Sequence, residues 1–175
     1  VVTVKILEGI GVGYALKFAK KMGIESPIKR DLSIALGTSG VSMLELTAGF
    51  GVFANGGERV NPVFIKKIVT MKGEVLEENT PYVEMEEQED DEGKVESPTF
   101  QPKESVISPQ HAFIITNLLQ GVVQHGTGQR AKVIGRPLAG KTGTSRDSGD
   151  AWFIAFTPSL LSPVCVGYDD RASLG

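Results

Sequence analysis

Apolar residues recur at helical spacing in the first part of the chain. After three closely spaced glycines, Tyr14, Phe18 and Met22 repeat every four residues up to Gly23. Such a repeat places apolar side chains on one face of an amphipathic helix. The Gly-x-Gly-x-Gly pattern does not fit a nucleotide-binding loop, because no strand precedes it and its last glycine is wrongly spaced. The pattern therefore predicts two helices joined tightly at the glycines.

A second helical region has an explicit start signal. Ser42 and Glu45 have the Ser-x-x-Glu spacing of a capping box, and an apolar repeat follows as far as Asn55. Gly49 and Gly51 lie inside this repeat, where each glycine costs about 1 kcal/mol relative to alanine. We expect another element to pack very close to the helix at these glycines.

The middle of the chain combines a predicted hairpin, an insertion and another helix. Residues 64–78 predict a β-hairpin, since two strand-like runs flank a polar Lys-Gly turn. Residues 79–105 are rich in proline, serine and acidic residues without periodicity, which predicts an exposed insertion. Ser108 followed by Pro109 is a typical helix start, and the apolar repeat behind it runs to Gly126.

The last third of the chain has the pattern of a sheet. Short apolar runs at 137–145, 151–157 and 163–168 are separated by turn residues at hairpin spacing. Helices followed by consecutive antiparallel strands are typical of an α+β fold rather than of alternating βαβ units. The sequence therefore predicts an α+β fold with helices and an antiparallel sheet.

Composition and charge narrow the function classes. The chain has 175 residues, of which 41% are hydrophobic and 22% charged, as in an ordinary globular domain. Residues 84–92 hold seven acids, and the rest of the chain has 18 basic against 14 acidic residues. This mild positive charge suits carboxylate-bearing ligands but is too small to indicate nucleic acid. With Cys165 as the only cysteine, no internal disulfide or cysteine-based metal site is predicted, and no cofactor.

Two motifs that carry chemistry overlap at residues 135–144. Residues 135–142 match the phosphate-binding pattern Gly-x-x-x-x-Gly-Lys-Thr, and residues 141–143 match the Lys-Thr-Gly box of penicillin-binding proteins and β-lactamases. A phosphate-binding loop requires a helix directly after it, whereas turn residues and a strand-like run follow here. Pro137 also removes one of the loop amides. The nucleotide-binding alternative at 135–142 is disfavoured by this context, but the motif alone does not exclude it.

The Lys-Thr-Gly interpretation gives each residue a physical task. Lys141 supplies a positive charge, and Gly143 removes a side chain where a substrate must approach closely. Thr142 and Thr144 are two residues apart and so present their hydroxyls on one strand face to a carboxylate. An extended substrate could then lie beside the strand as an added strand. Strict alternation turns Lys141 to the opposite face, and the sequence does not settle how its amine reaches the site.

Five segments together resemble the transpeptidase domain of class A (bifunctional) penicillin-binding proteins. The similarity runs nearly from end to end and is weakest over 79–105. It implies a penicillin-binding-protein/β-lactamase-like fold, with residues 1–175 forming the C-terminal part of one such domain. The segments are LSIALGTS at 32–39, VFANGG at 52–57, RPLAGKTGT at 136–144, DAWF at 150–153 and GYDD at 167–170.

The resemblance implies a serine acyltransferase that cross-links peptidoglycan. A serine would attack the penultimate D-Ala of a stem peptide ending in D-Ala-D-Ala, and β-lactams would acylate the same serine. Lys141 would be catalytic, the backbone amide of Thr144 would donate to the oxyanion hole, and Thr142, Gly143 and Thr144 would bind substrate. The family's proteins act outside the cytoplasmic membrane, so we expect an anchor outside this chain, and a glycosyltransferase domain in the parent protein.

The chain also departs from the family pattern. No Ser-x-Asn motif is present, and the one Ser-x-x-Lys sequence, at 26–29, lies in none of the five segments that carry the resemblance. The resemblance places the start of the chain directly after that asparagine, so the nucleophile is expected in the rest of the parent protein. The isolated chain is therefore expected to be inactive. The alternative is a non-catalytic interaction domain of the same fold, against which the intact Lys-Thr-Gly-Thr sequence at 141–144 argues.

Overall fold

The computed structural model describes residues 2–79, 105–145, 149–170 and 172–174. It divides the chain into two compact units, residues 1–60 with 104–175, and residues 61–103. The predicted exposed insertion at 79–105 lies outside the described residues except at its two ends. Within the smaller unit, strands β1 (Lys67–Val69) and β2 (Val75–Glu78) pair as an antiparallel hairpin, as the sequence predicts.

The first two helices confirm the predicted joint at the glycines. Helix α1 spans Val2–Ile10 and helix α2 spans Val12–Lys21. Gly11 separates them with a φ of 85°, a backbone conformation that residues with a side chain rarely adopt. The chain can therefore change direction within one residue.

Helix α3 (Met43–Ala54) begins with the predicted capping box. The Ser42 hydroxyl accepts from the Glu45 amide at 3.2 Å, and the Glu45 carboxylate accepts from the Ser42 amide at 3.2 Å. The same carboxylate accepts from the amides of Glu25 and Ser26, at 3.0 and 2.8 Å, and from the Ser26 hydroxyl. These donors, with the Ser26 hydroxyl first, lower the pKa of Glu45 from 4.5 to about 2. Glu45 thus ties the start of α3 to the segment that follows α2.

The glycines of α3 allow the close packing that the sequence predicts. A Cβ added to Gly51 would lie 3.2 Å from Cγ2 of Val60, and one added to Gly49 would lie 3.7 Å from Cδ1 of Ile24. Both distances show that side chains from outside the helix approach its backbone. A side chain at Gly51 would displace Val60.

Helix α4 (Pro109–Gln124) starts at the predicted Ser108-Pro109 cap, where the Ser108 hydroxyl accepts from the His111 amide at 3.3 Å. It packs on α3, and the Thr116 hydroxyl donates to the Phe53 carbonyl oxygen at 3.4 Å. The buried apolar core of the described residues draws on both helices, α1 and the sheet. Its members are Leu7, Val52, Val106, Ala112, Val123, Leu138, Ala139, Ile154 and Phe156.

Three antiparallel strands form the sheet in the order β3–β4–β5. They span Ala139–Thr144, Asp150–Phe156 and Leu161–Gly167, which confirms the predicted α+β fold. Strand β5 begins two residues earlier than the predicted run at 163–168. Pro163 consequently lies inside the strand, where it is paired with Ile154. Proline is tolerated there since, among the described strands, β5 pairs only with β4 and is an edge strand.

Two short 3-10 helices were not predicted from the sequence. One spans Leu32–Leu36 and the other Gln129–Ile134, and each ends at a glycine in the left-handed conformation, Gly37 and Gly135. Both segments are too short for a clear period of apolar residues, so their existence depends on their capping residues and on tertiary contacts.

Candidate active-site strand

Strand β3 carries all four predicted site residues, from Lys141 to Thr144. It pairs with β4 along one edge, and no other strand of the described residues pairs with its other edge, which we call the outer edge. Lys141 and Thr142 lie inside this strand, and no helix begins after them in the described part of the chain. The phosphate-binding-loop alternative at 135–142 is therefore wrong, because its motif requires a helix at this point.

The hydrogen bonds at the end of β3 fix which backbone groups face the outer edge. The Ser145 amide donates to the Asp150 carbonyl oxygen at 2.9 Å, so the backbone groups of Ser145 point toward β4. Successive residues of a strand direct their backbone groups to opposite sides. The N–H and C=O groups of Thr144 and Thr142 consequently point to the outer edge. Each lies next to a position where an extended ligand could pair.

Lys141 lies opposite Ile154 in the register of β3 and β4, and its side chain is exposed. Its ammonium group donates to the carbonyl oxygen of Thr142 at 2.6 Å. The Lys141 side chain therefore bends along β3, so that its amine reaches the outer edge beside the next residue. This contact answers a question that the sequence left open, since strict alternation alone turns Lys141 away from the threonines.

Gly143 and Thr142 differ in how exposed they are to solvent. A Cβ added to Gly143 would contact only Cβ of Trp152, at 3.5 Å, which is an ordinary van der Waals distance. Gly143 and Thr144 are exposed, whereas Thr142 is half-buried. The Thr142 hydroxyl lies 2.5 Å from the hydroxyl of Thr127, in the turn that follows α4.

Strand β3 is tightly packed at Gly140. A Cβ added to Gly140 would lie 2.9 Å from the Ile154 carbonyl oxygen and 3.1 Å from the Phe153 ring. A Cβ added to Gly128 would lie 3.4 Å from the same ring. Phe153 is paired with Thr142 across the sheet, so its ring fills the space beside two glycines and joins β3 to the turn after α4.

The described residues supply few other groups for chemistry. They contain no cluster of three or more histidine, cysteine, aspartate or glutamate side chains that could hold a metal ion. None of the described helices has the length and apolar content needed to cross a membrane. Strand β3 itself offers an ammonium group, two hydroxyls and outward-facing backbone groups.

Comparisons with known proteins show the family of the chain. The family described as penicillin binding protein transpeptidase domain matches residues 5–169. The chain belongs to the family of penicillin-binding-protein transpeptidase domains.

Relatives of known name are similar over nearly the whole chain. Penicillin-binding protein 1A of Pseudomonas aeruginosa is 35% identical over 206 residues, covering 99% of this chain and 25% of the relative. Penicillin-binding protein 1A of Aquifex aeolicus is 42% identical over 172 residues, covering 98% of this chain and 21% of the relative. The crystal structure of penicillin-binding protein 1A from Haemophilus influenzae matches with a TM-score of 0.81 and 26% identity, over 99% of this chain and 29% of that one. This chain thus spans about a quarter of the length of these relatives.

Proposed function

We propose that this chain is the C-terminal part of one D,D-transpeptidase domain that cross-links peptidoglycan stem peptides and is acylated by β-lactams. The observation that supports this most directly is the outer edge of β3. It presents outward-facing backbone groups of Thr142 and Thr144, the exposed Gly143 and the ammonium group of Lys141 on one unpaired strand. These features suit an extended peptide that ends in a carboxylate.

Each residue has a distinct proposed role. The hydroxyls of Thr142 and Thr144 bind the terminal carboxylate of a D-Ala-D-Ala stem peptide, and Lys141 supplies the positive charge that favours it. The outward-facing amide of Thr144 donates to the oxygen of the tetrahedral intermediate, where one such donor is worth about 3–4 kcal/mol in other enzymes. Gly143 leaves the space that the substrate backbone occupies.

The nucleophile comes from outside these 175 residues in this proposal. A serine in a Ser-x-x-Lys motif attacks the penultimate D-Ala carbonyl carbon and the terminal D-Ala leaves as an amine. The acyl group then passes to an amine of a neighbouring stem peptide, which regenerates the serine. The one Ser-x-x-Lys sequence of the chain, at 26–29, lies between α2 and the first 3-10 helix, and the Ser26 hydroxyl donates to the Glu45 carboxylate. We propose that Ser26 is not the nucleophile, so we expect the isolated chain to form no acyl-enzyme.

The relatives support a proposal about the setting of the reaction. The proteins that share most of this chain are named penicillin-binding protein 1A. We propose that the full-length protein is bifunctional, with a peptidoglycan glycosyltransferase domain, and that it acts on the outer face of the cytoplasmic membrane, anchored by a segment outside this chain. The partners of these residues are then the stem peptide, β-lactams and the rest of the same protein.

A fluorescent penicillin tests the proposal in the full-length protein. The wild type is expected to be labelled covalently, and Lys141→Ala to lose labelling without a change in melting temperature, since Lys141 is exposed. Lys17→Ala removes an exposed lysine from α2 and serves as the matched control, with labelling unchanged. Full labelling of Lys141→Ala would refute its role. An unlabelled wild type would instead favour a non-catalytic interaction domain.

A further inference from the structure

The turn between α4 and the second 3-10 helix is held rigidly at the back of β3. The carbonyl oxygen of Val122 accepts from the amides of Gly126 and Gly128, at 3.1 and 3.0 Å. A Cβ added to Gly126 would lie 2.9 Å from that oxygen, and Gly128 is closed in by the Phe153 ring. Thr127, between these two glycines, therefore has a backbone position that α4 and the sheet determine.

The side chain of Thr127 contacts the proposed substrate-binding strand. Its hydroxyl lies 2.5 Å from the hydroxyl of Thr142, fifteen residues away in sequence. Thr127 itself is exposed, so burial does not account for its position. Sequence reasoning did not single out this residue, because a Gly-Thr-Gly turn has no helical or strand periodicity that would point to β3.

The direction of this hydrogen bond decides what Thr142 can do. A threonine hydroxyl has one proton to donate and can accept hydrogen bonds as well. If the Thr127 hydroxyl donates to Oγ1 of Thr142, the proton of Thr142 stays available for a carboxylate at the outer edge of the strand. Chains of hydrogen bonds polarise one another, so a Thr142 hydroxyl that accepts one bond also donates more strongly.

We propose that Thr127 is a positioning residue that donates to Thr142 and directs the Thr142 proton to the carboxylate of the substrate or β-lactam. This inference rests on the proposed function, because it requires Thr142 to bind that carboxylate. It assigns to the turn at 126–128 a part in recognising the carboxylate rather than only in connecting α4 to the sheet.

The test compares two ligands in the full-length protein, benzylpenicillin and its methyl ester, which lacks the carboxylate charge. Thr127→Val keeps the shape of the side chain and removes the hydroxyl. We expect it to slow acylation by benzylpenicillin by roughly threefold to tenfold, as for the loss of one hydrogen bond. Acylation by the methyl ester should change less, so the preference for the free acid should fall. Thr127→Ser, which keeps a hydroxyl, should restore that preference.

Two controls separate positioning from a structural effect. Thr116→Val removes a threonine hydroxyl of α4 that donates to Phe53 instead, and it should leave the preference unchanged. In a Thr142→Val background, Thr127→Val should have no further effect, since the two residues act as one unit. Equal slowing with both ligands, or additive effects of the two substitutions, would overturn the inference.

The outcomes also separate this inference from the proposed function. If the wild type is acylated by benzylpenicillin but Thr127→Val shows the same preference for the free acid, only the positioning role fails. If the wild type is not acylated at all, the proposed function fails and this inference fails with it. A melting temperature measured for each variant identifies any loss of acylation that comes from unfolding.

Discussion

Two glycines three residues apart in β3 are expected to respond in opposite ways to the same substitution. Gly140→Ala places a Cβ 2.9 Å from the carbonyl oxygen of Ile154 and 3.1 Å from the Phe153 ring, which is closer than real Cβ atoms pack against backbone. Gly143→Ala places its Cβ 3.5 Å from Cβ of Trp152, an ordinary contact. The first change crowds the back of the strand, and the second adds a methyl group at its open side.

The magnitudes decide the sign of each effect on stability. Overpacking a well-packed core costs about 1–3 kcal/mol, whereas replacing glycine with alanine lowers the entropy of the unfolded chain and stabilises by about 0.4–1 kcal/mol. Crowding therefore wins at Gly140, with a net loss of roughly 1–2 kcal/mol. At Gly143 nothing opposes the entropy effect, so the free energy of unfolding should stay the same or rise slightly.

Thermal unfolding and acylation of the full-length protein measure the two effects. For a domain of about 150–250 residues, 1 kcal/mol lowers the melting temperature by roughly 2–4 °C, so Gly140→Ala should melt a few degrees lower. Gly143→Ala should melt like the wild type but be acylated by penicillin about tenfold more slowly or worse, if the proposed function is right that Gly143 leaves space for the substrate backbone. An unchanged melting temperature for Gly140→Ala would refute the packing argument. Normal acylation of Gly143→Ala would refute the proposed line of approach.

Two further predictions concern the helices. Glu45→Gln removes a carboxylate whose pKa is lowered to about 2 by Ser26 and its neighbours, so the stability it contributes is present above about pH 4.5 and lost as the pH falls through about 2. Urea midpoints should therefore be lower in the variant near neutral pH and converge with the wild type toward pH 2, and parallel curves would contradict this. Gly11→Ala should cost about 1–3 kcal/mol, because alanine at a φ of 85° is strained although no atom crowds the position. A melting temperature equal to that of the wild type would show that the joint between α1 and α2 adjusts.

The features predicted correctly from the sequence are those that depend on neighbouring residues. The capping box of Ser42 and Glu45, the joint at Gly11 and the three C-terminal strands follow from local spacing and from the conformational range of glycine. Local spacing also disfavoured the phosphate-binding loop, since turn residues after Thr142 do not start a helix, and the position of Thr142 inside β3 then ruled it out.

The features that the sequence did not predict depend on contacts between distant residues. The hydrogen bond between Thr127 and Thr142 exists because α4 ends beside β3, and neither residue lies in a pattern that indicates the other. The amine of Lys141 reaches the outer edge through its long side chain, which alternation along a strand does not describe. The run at 163–168 predicts a strand that starts at Pro163, whereas β5 starts at Leu161, because the edge position that accommodates a proline inside a strand is a property of the whole sheet.

Pro163 has a consequence for the far side of the sheet. Ile154 lies opposite both Lys141 and Pro163, and its backbone groups point toward Lys141, so the backbone of Pro163 points away from β4. Every second residue of β5 offers a donor on that side, except Pro163, which has no N–H group. A strand that pairs with this edge therefore presents a carbonyl group opposite Pro163, where β5 has no N–H group to donate to it. This gap disfavours a flat, uninterrupted pairing of two copies along β5. Any strand that does pair with this edge must have another hydrogen-bond donor for its carbonyl group opposite Pro163.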